Sequence, residues 1–207
     1  MSINQLPQTP NVGNQVPNDL WKWLIEIGNR IRTLIDGANA GHASTHATGG
    51  SDELTPLTGA VVQVAHYETG AVATGSASIP LDDTIPQISE GTQFLSVSIT
   101  PKSSSNKLII NVNLILRCAA VAGVTAALFQ DLTANALAAA NSDAAGANYT
   151  ANIAFCHSMP AGTTSATTFI VRAGSSTGSV VTVNGLNGGR LFGGVMASSI
   201  MVTEVQA

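Results

Sequence analysis

Charge is scarce in this sequence. Asp, Glu, Lys and Arg make up 10 % of its 207 residues, against about a quarter in an ordinary soluble domain. What charge there is leans acidic, with a formal net charge of −4. Nucleic acid is thereby excluded as a partner, because holding a phosphate backbone requires clustered Lys and Arg. Aromatic residues reach only 4 %, which leaves few rings for packing on a sugar. No run of about 18 apolar residues occurs, so no membrane insertion is expected. The opening Met1-Ser2-Ile3-Asn4-Gln5-Leu6 lacks the basic and apolar regions of a signal peptide, and none is expected. Cysteine is limited to Cys118 and Cys156. Period-two reading puts Cys118 on the apolar face of Leu108, Ile110, Val112, Leu114 and Leu116. Cys156 alternates with Phe155 and His157, so the two thiols are expected in different environments and unpaired.

Small and β-branched residues fill the space that charge leaves. The chain is long enough for one ordinary domain with an appendage. Its most ordered pattern comes early. Leu20, Leu24, Ile27, Ile31 and Leu34 are spaced four, three, four, three, the a/d seam of a helix that packs on copies of itself. Asn18 is the expected N-cap, and Asp36-Gly37 the expected end, since glycine accepts the left-handed conformation at C′. Residues 18–37 are therefore read as a coiled-coil helix, too short to stand alone in water. Trp21 and Trp23 flank the seam, either covering it on a neighbouring helix or anchoring another protein.

Residues 1–17 carry Pro7, Pro10 and Pro17, have no periodicity, and read as an extended arm that orders on a partner. Residues 38–59 read as a Gly/His-rich connector. His42 and His46 stand four apart in it, bracketed by Gly41, Gly49 and Gly50, so a helix is not expected there. If three chains meet on an axis, each histidine level supplies three imidazoles, and an axial metal ion or anion becomes a candidate. The plainer reading has the imidazoles bonded to nearby backbone. No other cofactor is expected.

From Ala60 onwards the period changes to two. Strands are expected at Val61–Tyr67, around Leu95, Val97 and Ile99, at Leu108–Leu116, around Phe169 and Val171, at Val180–Val183 and at Ser199–Val205. Gly-, Ser- and Asn-rich turns separate them. The segment 132–140 has helical propensity but follows a strand-like run, and a hairpin is preferred. Many short strands with such turns read as a β-sandwich head with jelly-roll-like connections over residues 60–207. Ser175, Ser176, Thr177, Asn187 and Arg190 are the candidate distal-loop residues.

The run His42-Ala43-Ser44-Thr45-His46-Ala47-Thr48-Gly49-Gly50-Ser51-Asp52 resembles a motif of tailed-bacteriophage tail fibres. Asp82-Asp83-Thr84-Ile85-Pro86-Gln87, Glu90-Gly91-Thr92, Ala127-Leu128-Phe129-Gln130-Asp131 and Arg190-Leu191-Phe192-Gly193-Gly194 resemble the distal β-domain of such fibres. The resemblance implies a homotrimeric virion fibre, assembled in the host cytoplasm, with a β-rich head. It transfers no catalytic residue. No nucleophile elbow, phosphate-binding Gly-Lys-Ser/Thr or His-Glu-x-x-His is read in the sequence, and no enzyme is expected. Asp82-Asp83 reads as a solvated turn. The expected roles are adhesion to a host-surface glycan or protein, with residues 1–17 held by another virion protein, or a purely structural virion part.

Overall fold

The structure is a computed structural model and describes residues 17–45, 58–143 and 146–207. The chain divides into two compact units, Met1–Pro56 and Leu57–Ala207. In the first, one helix α1 runs Pro17–Thr45. It passes the expected stop at Gly37 and continues by about two turns. The alanines that follow (Ala38, Ala40 and Ala43) have the highest helix propensity and offset the roughly 1 kcal/mol that an internal glycine costs. His42 thus lies within a helix, contrary to expectation, and His46 lies outside the described residues.

The second unit is mainly β. Its strands are β1 (Val61–Thr69), β2 (Ala73–Gly75), β3 (Thr92–Ile99), β4 (Lys107–Cys118), β5 (Gly123–Gln130), β6 (Ala138–Asp143), β7 (Thr150–Pro160), β8 (Thr167–Ser175), β9 (Val181–Val183), β10 (Gly185–Leu186), β11 (Gly189–Arg190) and β12 (Ser198–Val205). The segment 132–140 is indeed a hairpin connection, with β5 and β6 paired antiparallel from Leu128↔Ala138 to Gly123↔Asp143.

Two sheets face each other. The four-stranded sheet runs β3-β8-β5-β6. The six-stranded sheet is centred on β4, which pairs with β7 along one side. On its other side β12 and β9 follow one another end to end, against Lys107–Asn113 and Leu116–Cys118. At that junction the backbone of Ile115 would be left unpaired. Its N–H donates to Ser198 Oγ at 2.9 Å, and its carbonyl accepts from the Asn184 N–H at 3.0 Å. Asn184 is fully buried in a left-handed conformation (φ 55°), a conformation asparagine tolerates better than most residues. Its amide also donates to Thr69 O at 2.7 Å, tying the junction to the end of β1.

The core fills the space between the sheets. Alternate residues of β4 (Leu108, Ile110, Val112, Leu114, Leu116 and Cys118) meet Ile200 and Val202 of β12 and Leu95, Val97, Phe169 and Val171 of the facing sheet. Strict alternation made this face legible, because side chains at i and i+2 share one side of a strand. Cys118 is buried and Cys156 exposed, both as free thiols.

A carboxylate is among the polar groups closed inside this unit. Glu204 is fully buried. Its carboxylate accepts from Asn106 Nδ2 at 2.6 Å, Gln63 Nε2 at 2.6 Å and the backbone N–H groups of Lys102 and Ser103 at 2.8 and 3.3 Å. Burial by itself would raise the Glu204 pKa. The bonds from Asn106, Gln63, Lys102 and Ser103 outweigh it and hold the carboxyl below the usual carboxylate range. One side chain thereby fastens β1, β12 and the turn between β3 and β4.

Candidate interaction surface

The outward sides of the two sheets differ. On the four-stranded sheet, the outward residues Ala127 and Phe129 of β5 are fully buried, because the chain crosses back over them. Ile79 seats on this pair, with Ile88, Ala136 and Ile170 around it. The crossing segment is held at Ile79 N–H to Ser175 O (3.3 Å), at Gly91 N–H to Ser78 O (2.9 Å) and at Ile88 N–H to Ala134 O (2.8 Å). Gly174 permits the approach, since a Cβ there would stand 2.3 Å from Ala77 O.

The outward side of the six-stranded sheet has no such cover from the described residues of its own unit. Register places its side chains in rows across β1, β12, β4 and β7: Val64, Thr203, Ile109 and Ser158; His66, Met201, Asn111 and Cys156; Glu68, Ser199, Asn113 and Ala154. Ile109, Ile115, Met201 and Thr203 are half-buried, while Val64, His66, Asn111 and Cys156 are exposed. Within these rows only His66, Glu68 and Cys156 can ionise. The face is low in charge and mixes β-branched, methionine and amide side chains; low charge is one mark of an interface core.

Helix α1 offers a second apolar surface. The predicted seam residues Leu20, Leu24, Ile31 and Leu34 are 38–51 % exposed, and Ile27 is half-buried. Trp21, Ile25 and Ile35 are exposed beside them.

The remaining sequence candidates do not converge on one place. Ser175 ends β8, is fully buried, and donates its Oγ–H to Ser179 O at 2.9 Å. Ser176 is half-buried, its N–H held by Gly123 O at 2.9 Å. Thr177 is exposed. Asn187 (φ 49°) is exposed at the turn between β10 and β11, and Arg190 is exposed on β11. Gly174-Ser175-Ser176-Thr177-Gly178 has the formal spacing of a nucleophile elbow, contrary to the expectation that the sequence holds none. The structure removes its meaning, because strand β9 follows it where an elbow requires a helix. His66 and His157 project from opposite sides of the six-stranded sheet. Among the described residues no three His, Cys, Asp or Glu side chains stand close enough to hold a metal ion. Asp82 is exposed and accepts from the Thr84 hydroxyl and its N–H (2.8 Å for the latter). These two bonds keep its pKa below the ordinary value.

A family model for the Pgp3 C-terminal domain matches residues 77–207. The chain belongs to this family. The Pgp3 match takes in β3 to β12 and their covering segment, and leaves α1, β1 and β2 outside it. It corrects the tail-fibre resemblance, since the stretches 82–87, 90–92, 127–131 and 190–194 all fall inside the Pgp3 span. Those short strings fall on the covering segment, the end of β5 and the stretch after β11, local features that unrelated β-proteins share, and so they carried no ancestry. The expected virion location falls with it, because the matched family is Pgp3 and not a virion-fibre family. No curated protein matches the sequence. Among solved structures the chain is similar to Eiger TNF from S. frugiperda, at 9 % identity and TM-score 0.43, covering 72 % of this chain and 96 % of that one. It is also similar to the EclA C-terminal domain, a sugar-binding protein, at 14 % identity and TM-score 0.34, covering 68 % and 86 %. Latent PorU from Porphyromonas gingivalis matches at 10 % identity and TM-score 0.35, covering 76 % and 15 %.

Proposed function

We propose that this protein is a homotrimeric binding protein that acts by surface contact and not by catalysis. The seam of α1 joins three copies as a coiled coil, and the uncovered side of the six-stranded sheet packs against a neighbouring copy. The sealed sheet and the loops then face a protein or glycan partner, with jelly-roll-like connections carrying those loops. Three copies of each loop around one axis raise the effective concentration, so weak single contacts add. The observation that carries this reading is the asymmetry between the sheets. The chain buries Ala127 and Phe129 beneath its own segment, yet leaves Val64, Ile109, Met201 and Ile115 without cover from the described residues of that unit. Exposed Leu20, Leu24, Ile31 and Leu34 on a separate helix point the same way.

The test separates the two contacts. Ile27→Asp would bury three carboxylates in one seam layer of a trimer, and Met201→Asp would place one on each sheet contact. Both positions are partly exposed and lie outside the buried core in the single chain, so folding should survive, as circular dichroism would show. Each substitution alone should lower the assembled fraction in sedimentation, and both together should give monomer. Unchanged assembly in the double variant would refute the proposal.

A further inference from the structure

A second surface follows from how the strand edges are treated. An edge strand presents unpaired N–H and C=O groups, and proteins usually blunt it with a bulge, a proline or a lysine. Here β1 carries a register shift at Val61/Gln63 and β3 one at Gln93/Leu95, and β7 ends in Pro160. The outer strand β6, Ala138-Ala139-Ala140-Asn141-Ser142-Asp143, has none of these devices, and its pairing to β5 runs without a shift. Beside it lies an open groove of about 410 Å³, lined by Asp82, Asp83, Thr84, Ile85 and Pro86 on one wall and by 136–139 on the other.

The groove has a structural origin. Residues 86–88 pair with 134–136 through Ala136 N–H to Pro86 O (2.9 Å) and Ile88 N–H to Ala134 O (2.8 Å), with an antiparallel bridge at Gln87↔Asn135. Beyond Pro86 the two segments part, and the start of β6 is left without a strand beside it. The alanines of β6 add no bulk that would keep another backbone away. Asp82 and Asp83, both exposed, put negative charge on the opposite wall, and Asp143 adds more at the far end of β6.

We propose that β6 is a docking edge for an extended peptide segment of a partner protein, which adds as a fifth strand to the four-stranded sheet. Main-chain hydrogen bonds supply the affinity, as in other strand additions. The acidic wall selects segments with Lys or Arg at alternate positions. The small side chains of β6 favour β-branched or other compact residues between them.

The probe is a fluorescein-labelled synthetic peptide of alternating lysine and valine, read by anisotropy against the full-length protein. Three companions accompany it: the same peptide with glutamate for lysine, one N-methylated at alternate residues, and one scrambled to break the alternation. Binding should be saturable, lost on N-methylation, and weaker for the glutamate and scrambled peptides. The double variant Asp82→Asn, Asp83→Asn should weaken the lysine peptide about two- to fivefold and flatten its salt dependence. Hydrogen exchange of the parent protein locates the site. At ten times Kd, alternate amides of Ala138–Asp143 should exchange roughly tenfold more slowly. Four outcomes overturn the proposal: no binding, binding indifferent to N-methylation, binding unchanged in the double variant, or protection that appears on β1, β3 or β7 in place of β6.

Discussion

Glu204 offers the sharpest test of how the β unit is held together. Glu204→Ala removes the acceptor of four N–H groups. Gln63 lies partly open and retains a second acceptor in Thr100 O at 2.7 Å, so it loses little. The Asn106 amide stays buried, and the Lys102 N–H lies in the same partly closed turn. Two stranded donors at about 1–3 kcal/mol each give a loss of about 2–6 kcal/mol, a large part of a typical domain's stability of about 5–15 kcal/mol. Glu204→Gln keeps the shape and one acceptor oxygen but exchanges charge-assisted bonds for neutral ones, which should cost about 1–2 kcal/mol. The two also differ in pH dependence. The folded carboxyl has its pKa below the unfolded value, so its stabilisation is complete above about pH 4.3 and disappears as pH falls through the folded pKa. The gap between parent and Glu204→Gln should therefore be full at neutral pH and close on acidification. Urea unfolding followed by the strand signal in circular dichroism, at one fixed protein concentration, measures it. A glutamine variant as stable as the parent at neutral pH, with a parallel acid profile, would refute the latch.

Gly174→Ala should destabilise the β unit by about 1–3 kcal/mol, since its methyl group meets Ala77 O and forces the covering segment outward; limited proteolysis should then cut between residues 76 and 91 before it cuts elsewhere in the unit. Cys156 should react slowly with a maleimide in concentrated protein and faster on dilution, because it stands in a row with Met201 on the proposed contact face, whereas Cys118 should react only on unfolding. Fast Cys156 labelling at concentrations where the assembly is intact would remove the sheet from the contact.

Much of the β unit was legible because its core strands obey period two. Leu108 to Cys118 announced a half-buried strand, and the turn-rich composition announced many short ones. The Ala-rich stretch at 132–140 was resolved by its neighbours, since Leu128-Phe129-Gln130 before it is strand-like, and pairing overrode helix propensity. What the sequence did not reveal was the covering segment. It is polar and irregular, and its single fully buried anchor, Ile79, gives no periodic signal. The same gap concealed the outward burial of Ala127 and Phe129, and so the difference between the two sheets. In the helix, Gly37 looked like a terminator, but the propensity of the following alanines is a sum over several residues and outweighed one glycine. The candidate surface was half visible. The α1 seam could be read from spacing alone, while the rows across β1, β12, β4 and β7 depend on register between strands far apart in sequence. The family was misread because strings this short record local geometry and not descent.

The central claim is that three copies assemble, and mass in solution tests it most directly. Sedimentation equilibrium of the full-length protein at micromolar concentration should give about three times the chain's 21.0 kDa. The Ile27→Asp, Met201→Asp double variant should give that single-chain mass. A parent protein that sediments at 21.0 kDa would contradict the account, because α1 and the six-stranded sheet would then leave their apolar residues in water with no partner copy to cover them.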